Sequence, residues 1–95
     1  MAKGYLVAHI RVHDKEGFER FKAMSGPAIA DFGGRVLARN PTPEHREGDL
    51  RGTTILIEFE DLNAARRFYE SDAYTSARAV REMAAETDLM LVEGI

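Results

Sequence analysis

The stretch TTILIEFE, residues 53–60, is the most strand-like run in the chain, and four of its eight residues are β-branched. On the two-residue period of a strand, Ile55, Ile57 and Phe59 share one face, which we expect to pack on a hydrophobic core. Glu58 lies on the other face and is the one charge in the interior of the run, which ends at Glu60. That second face is either solvent surface or the wall of a cavity in which a carboxylate has a role.

Length and composition limit what the chain can be. Its 95 residues suit one small domain, residues 1–95, and its net charge of −3, with basic residues interspersed among acidic ones, excludes the electrostatic footprint of a nucleic-acid or anionic-membrane binder. No apolar run approaches the roughly 20 residues of a membrane span, and His9 comes too early for a signal peptide, so we expect a cytoplasmic protein. The absence of cysteine excludes disulfides, thiolate metal sites, iron–sulfur clusters and cysteine nucleophiles.

The first half of the chain predicts a strand, a helix and a second strand. Residues 5–12 alternate as a half-buried strand, and Asp14 can then cap a helix. Because proline removes a backbone donor and clashes with the preceding turn, we expect a kink or a restart at Pro27. The pair Gly33-Gly34 can end this helix before a strand over residues 35–39.

The second half repeats this order. After residues 53–60, Asp61 can cap a helix, and the Ser71-Asp72 pair breaks and recaps the chain before a second helical segment. Residues 88–92 predict a short closing strand.

The order strand, helix, strand, strand, helix, strand predicts an α+β fold of the ferredoxin-like βαββαβ type, with a four-stranded sheet that contains antiparallel pairs. We expect the first and third strands to be parallel central neighbours, the other two strands to form the edges, and the helices to cover one sheet face. The uncovered face has mixed apolar content, which favours a homodimer through that face. It is predicted to carry Tyr5, Val7, His9, Arg11, Leu37, Leu56 and Glu58.

The chain also resembles a known family, the domain of unknown function 1330. The resemblance covers nearly the whole chain and rests on weak motifs in a shared order: Gly4-Tyr5, Asp14, Gly33-Gly34-Arg35, Glu47-Gly48, Glu58-Phe59, Ala65-Arg66, Phe68-Tyr69, Tyr74 and Arg81. It implies a dimeric α/β-barrel, in which two ferredoxin-like sheets pack with their uncovered faces inward. The superfamily it implies includes cofactor-free monooxygenases, haem-degrading enzymes and small isomerases, while activity does not transfer from fold alone.

His9 and Glu58 form the candidate catalytic pair. Both are predicted on the uncovered face of adjacent strands, where a carboxylate beside an imidazole could prepare a general base if the register places them opposite each other. Arg11, with Arg35 or Arg39, could bind an anionic or enolate-like group. The alternative is a buried ion pair that only satisfies an awkward interface.

Other polar residues give weaker hypotheses. Tyr69 and Tyr74 flank the helix break and are candidate substrate-binding residues, with core packing as the alternative. Arg78 and Arg81 share a helix face, which is typical of a solvated stripe. His9 and His13 lie about 13 Å apart along a strand and cannot share an ion, so no metal site is expected. No cofactor is expected either.

Two functions follow from these observations. The first is a small-molecule-binding protein that acts as a cofactor-free isomerase or monooxygenase through the His9–Glu58 pair. The second is a non-catalytic ligand-binding or structural homodimer. The expected partners are a second copy of the chain and a small organic ligand, with no nucleic acid and no membrane.

Overall fold

The computed structural model describes residues 2–95 and contains four strands and three helices. The strands are β1 (Gly4–Val12), β2 (Arg35–Asn40), β3 (Thr53–Phe59) and β4 (Ala85–Glu93). The helices are α1 (Lys15–Asp31), α2 (Leu62–Glu70) and α3 (Asp72–Glu82). This is the predicted α+β, ferredoxin-like order, with the second helical region split in two and β4 longer than its predicted residues 88–92.

Local capping explains where the helices begin. Asp14 accepts a hydrogen bond from the backbone N–H of Gly17, and Asp61 accepts one from Ala64, as expected for carboxylate N-caps. Ser71 both ends α2 and caps α3, since its hydroxyl oxygen accepts from the Tyr74 N–H at 3.1 Å. These three predicted helix starts are confirmed.

Of the two alternatives expected at Pro27, a kink or a restart of α1, the restart is wrong. The helix runs unbroken from Lys15 to Asp31 with Pro27 inside it. Gly26 and Pro27 both lie on the exposed side of the helix, where water can satisfy the carbonyl that loses its partner. The helix ends at Asp31, and Gly33, which follows the C-cap residue Phe32, has a φ of +73°, the left-handed conformation that glycine adopts freely.

The sheet order is β2-β3-β1-β4, so β1 and β3 are the predicted central neighbours. They pair antiparallel, however, and the expected parallel pairing is wrong. The crossover through α1 makes β2 run in the direction of β1. The chain then reverses between β2 and β3, so β3 runs opposite to both.

All three helices pack on one face of the sheet. The β3 residues predicted to face the core are buried, and they join aromatic side chains from α1, α2 and α3 in one hydrophobic core. The larger members of that core are Leu6, Ile10, Phe21, Ile29, Ile55, Ile57, Phe59, Phe68 and Tyr74. Phe68 is fully buried at the centre of the aromatic contacts, with its ring 4.6 Å from that of Tyr74.

Strand β2 contains a bulge that the alternation of residues 35–39 did not predict. The register shifts between Val36 and Ala38, so Ala38, rather than Leu37, lies opposite Leu56 on the uncovered face. Arg39 is consequently turned to the helix side, opposite Ile55, while Arg35 stays on the uncovered face. The two arginines predicted as alternatives for one site therefore lie on opposite faces.

Candidate functional site

The uncovered face of the sheet has an apolar row at its centre. The pairings across the four strands align Ala38, Leu56, Val7 and Met90 side by side. The neighbouring rows are more polar: Arg35, Glu58, Tyr5 and Val92 on one side, and Asn40, Thr54, His9 and Asp88 on the other. An apolar centre with a polar rim is the usual anatomy of a protein–protein interface.

Glu58 is held in place by two donors on this face. The Tyr5 hydroxyl donates to one carboxylate oxygen at 3.3 Å, and the Arg35 guanidinium donates to the other at 3.0 Å. Only 19% of the Glu58 side chain is exposed, compared with 72% of Arg35. The Glu58 carboxylate thus accepts hydrogen bonds from a phenol and from a surface arginine.

The register does not place His9 opposite Glu58. Tyr5 pairs with Glu58 and His9 pairs with Thr54, so the two predicted catalytic residues are four positions apart along the strands, about 13 Å. The His9 Nδ1 lies 3.2 Å from the Thr54 hydroxyl instead. The expected contact between His9 and Glu58 is therefore wrong. The alternation of residues along one strand shows which face each side chain is on, but it does not show how that strand aligns with its neighbour.

We expect Thr54→Val to change the ring-nitrogen chemical shifts of His9, since its Nδ1 then loses a hydroxyl partner. Glu58→Gln is the matched control and should leave those shifts unchanged, because the carboxylate is about 13 Å away. Long-range proton–nitrogen NMR on both variants measures this. A response of His9 to Glu58→Gln alone would contradict the register.

Arg11 belongs to a third cluster, at the end of the uncovered face. Its guanidinium lies 3.0 Å from Asp88 and donates to the carbonyl of Arg51 at 3.1 Å. Glu86 is a more distant partner at 3.9 Å. Arg11 is therefore already paired with acidic groups and does not meet Arg35.

A cavity of about 40 Å³ lies on the other side of the sheet, beneath the helices. This is roughly three times the volume that one water needs. Its walls are mostly apolar, formed by Leu6, Ala8, Ile10, Phe21, Ile29, Ile55, Ile57, Phe68 and Leu89. The polar lining consists of Lys22, Ser25, Arg39, Tyr74 and Arg81, and within residues 2–95 no acidic side chain lines it.

Arg81 is the unusual member of this lining. It is only 5% exposed, and its guanidinium donates to the Tyr74 hydroxyl. In the described chain no carboxylate pairs with it, and no protein group accepts a hydrogen bond from its Nε. The guanidinium carbon lies 5.4 Å from the ring centre of Phe21 and 5.8 Å from that of Tyr74.

This arrangement is energetically demanding. A buried charge left without a counter-charge typically costs several kcal/mol, and each cation–π contact returns only about 0.5–2 kcal/mol. Buried arginines are ordinarily paired with carboxylates or several carbonyl oxygens. Arg81 can therefore donate a further hydrogen bond, and the protein itself does not supply the acceptor.

Tyr74 holds the second polar group of the cavity. Burial raises the pKa of its hydroxyl above the ordinary value of 10.0, while the nearby Arg81 charge lowers it by less. The hydroxyl therefore stays protonated at neutral pH. Because its oxygen accepts from Arg81, its own proton is available for a further acceptor.

The raised pKa of Tyr74 predicts a loss of stability in alkali. Above about pH 10 the unfolded tyrosine ionises before the folded one, so the unfolded state binds fewer protons and the free energy of unfolding falls as pH rises. Tyr74→Phe should make this fall shallower. Urea unfolding of both proteins between about pH 8 and about pH 11 measures the difference. Parallel curves would contradict the buried phenol.

Tyr69 is not part of the cavity lining. Its hydroxyl accepts a hydrogen bond from Arg78 at 2.7 Å, which is the main reason why the pKa of that arginine is raised. Arg78 is more exposed than Arg81 and also lies 3.6 Å from Glu82. The interpretation of the two arginines as one solvated stripe thus holds for Arg78 and is wrong for Arg81.

Two other kinds of feature are absent from residues 2–95. No three histidine, aspartate or glutamate side chains converge in a way that could hold a metal ion. No helix in this part of the chain has the length and apolar character that crossing a membrane requires.

Known structures share this fold at low sequence identity. A protein of unknown function from Rhodopseudomonas palustris is 15% identical with a TM-score of 0.81, covering 99% of this chain and 83% of its own. SnoaB, a cofactor-independent oxygenase from Streptomyces nogalater, is 18% identical with a TM-score of 0.67, covering 97% and 92%. A conserved protein from Bacteroides thetaiotaomicron is 14% identical with a TM-score of 0.66, covering 97% of each chain. Such likenesses show the fold and leave the activity open.

The fold is thus the ferredoxin-like subunit fold of the dimeric α/β-barrel class. No curated protein matched the chain. A family model described as a domain of unknown function, DUF1330, matches residues 3–95, and the chain therefore belongs to that family.

Proposed function

We propose that this chain is a small-molecule-binding protein whose ligand occupies the cavity between the helices and the sheet. The observation that carries the proposal is the cavity lining: apolar walls with a buried arginine and a buried tyrosine hydroxyl at one place. Ligand sites in proteins are typically apolar pockets with a few polar groups that fix orientation. The likeness in fold to a cofactor-independent oxygenase supports such a role in general terms.

The proposal includes a homodimer through the uncovered sheet face. The apolar row of Ala38, Leu56, Val7 and Met90 would be buried against its copy, and the half-buried Glu58 cluster would lie inside the barrel. The cavity beneath the helices stays on the outer side of each sheet. Each subunit would therefore hold its own ligand.

A cavity-filling variant tests where ligands bind. Ser25 is buried in α1 and lines the cavity, so Ser25→Leu should fill part of it, whereas Ser76→Leu places the same side chain on the exposed side of α3. A library of small neutral and anionic compounds is screened by NMR against wild type and both variants. Saturable binding that Ser25→Leu abolishes and Ser76→Leu preserves supports the proposal. Absence of binders, or binders that ignore Ser25→Leu, overturns it.

Catalysis by proton transfer on the uncovered face is the second candidate. The observation in its favour is Glu58, a mostly buried carboxylate fixed by Tyr5 and Arg35. With His9 about 13 Å away, the two residues would act at separate points of a bound molecule rather than as a contacting pair. If turnover of a bound compound is found, Glu58→Gln and His9→Gln should each lower kcat, and unchanged kcat in both would remove this candidate.

A further inference from the structure

The Arg81–Tyr74 pair lines the cavity and has hydrogen-bonding capacity that the protein leaves unused. Arg81 is nine-tenths buried, lacks a carboxylate partner in the described chain, and has an Nε that no protein group accepts from. Tyr74 uses its oxygen to accept from Arg81, which leaves its proton for another acceptor. Both residues line the same cavity.

The other charged residues that line the cavity are also basic. Lys22 and Arg39 also line the cavity, while acidic residues are missing from its lining within residues 2–95. Lys22 pairs with Glu19 at 2.9 Å, and Arg39 is exposed on β2. Such a positively charged approach favours anions over neutral molecules.

We propose that the cavity recognises small organic acids through their carboxylate group, with Arg81 and Tyr74 as the two donors. This inference rests on the proposed function and adds the chemical class of the ligand. A guanidinium and a phenol match the two oxygens of a planar carboxylate, which accepts only. A volume of about 40 Å³ admits the carboxylate and a short chain.

The test follows the arginine Nε–H signals of nitrogen-15-labelled protein by NMR while sodium acetate is added at constant ionic strength. Acetamide, which has the same shape without the charge, is the matched ligand. We expect a saturable shift of the Arg81 signal with acetate and none with acetamide, while the Arg78 signal stays unchanged with both. A linear shift that never saturates, or equal responses to the two ligands, would overturn the proposal.

Variants separate recognition from folding. Tyr74→Phe keeps the buried ring and removes the donor, so acetate should bind about tenfold more weakly. Arg81→Gln should abolish binding, whereas Arg78→Gln, which removes the other tyrosine-bonded arginine of the same helix, should leave it unchanged. Full acetate affinity in Tyr74→Phe would overturn the assignment of its hydroxyl even if Arg81→Gln does not fold.

These outcomes distinguish the carboxylate proposal from the more general proposal that the cavity binds a small molecule. If acetamide or other neutral compounds bind and Ser25→Leu displaces them, while acetate shows no preference, the cavity is a ligand site without carboxylate recognition. In that case the carboxylate proposal fails and the small-molecule proposal stands. If no compound of either kind binds, both fail.

Discussion

Phe68→Ala is expected to lower the free energy of unfolding by about 3–5 kcal/mol and the melting temperature by more than about 10 °C. Phe68 is fully buried, and its ring lies 4.6 Å from Tyr74 and 5.2 Å from Phe59. The truncation removes the side chain that joins the helical layer to β3. A domain of this size typically has only about 5–15 kcal/mol of stability, so a loss of this size is a large share of the margin.

Met83→Ala is the matched control, because it also truncates a large apolar side chain but at a position that is 80% exposed. We expect its free energy of unfolding to stay within about 0.5 kcal/mol of wild type. Urea and thermal unfolding at one fixed protein concentration compare the three proteins. A cost below about 1 kcal/mol for Phe68→Ala would mean that the aromatic core is not packed as described.

Val7→Lys is expected to convert a dimer into a monomer, with a dissociation constant raised by more than about 100-fold. Val7 lies in the middle of the apolar row, between Leu56 and Met90. In a two-fold symmetric interface the new lysine of each subunit is buried close to that of its partner, so two positive charges are desolvated near each other. Light scattering should give about twice 10.6 kDa for wild type and 10.6 kDa for the variant.

Met83→Lys places the same charge on the helical side of the molecule, where it is exposed, and should remain dimeric. The lysine of Val7→Lys also lies on an accessible face of the free subunit, so the variant should stay folded by circular dichroism. A wild-type monomer at micromolar concentration would contradict the proposed dimer. A Val7→Lys protein that stays dimeric would place the interface elsewhere.

The fold was predictable because its decisive features are local. The helices begin where a side chain caps the backbone three residues further on, as at Asp14, Asp61 and Ser71. The buried face of β3 follows from alternation alone, which places Ile55, Ile57 and Phe59 on one side. Pairing direction and register are not local. The bulge near Leu37 and the pairing of Tyr5 with Glu58 depend on how distant strands align. For that reason the sequence predicted the right face for His9 and Glu58 but the wrong contact.

The cavity could not be predicted from the sequence, because it also depends on how distant elements pack. The sequence makes Tyr74 a candidate binding residue, but it predicts that Arg81 forms a solvated stripe with Arg78. The spacing held a clue, because Tyr74, Ala77 and Arg81 recur at three and four residues and form the buried face of α3. Arg81 therefore belongs to the buried face of α3, although Glu82 follows it directly in the sequence. Its burial depends on α1 packing over α3, which no local pattern shows.

Methyl NMR tests the central claim most directly, that ligands bind beneath the helices and not on the uncovered face. Ile57 and Leu56 are sequence neighbours whose side chains point to opposite sides of the sheet, and Ile57 lines the cavity. Acetate added to wild-type protein should shift the Ile55 and Ile57 methyl signals saturably and leave those of Leu56 and Val7 unchanged. Saturable shifts of Leu56 and Val7 with no response from Ile55 and Ile57 would contradict the account.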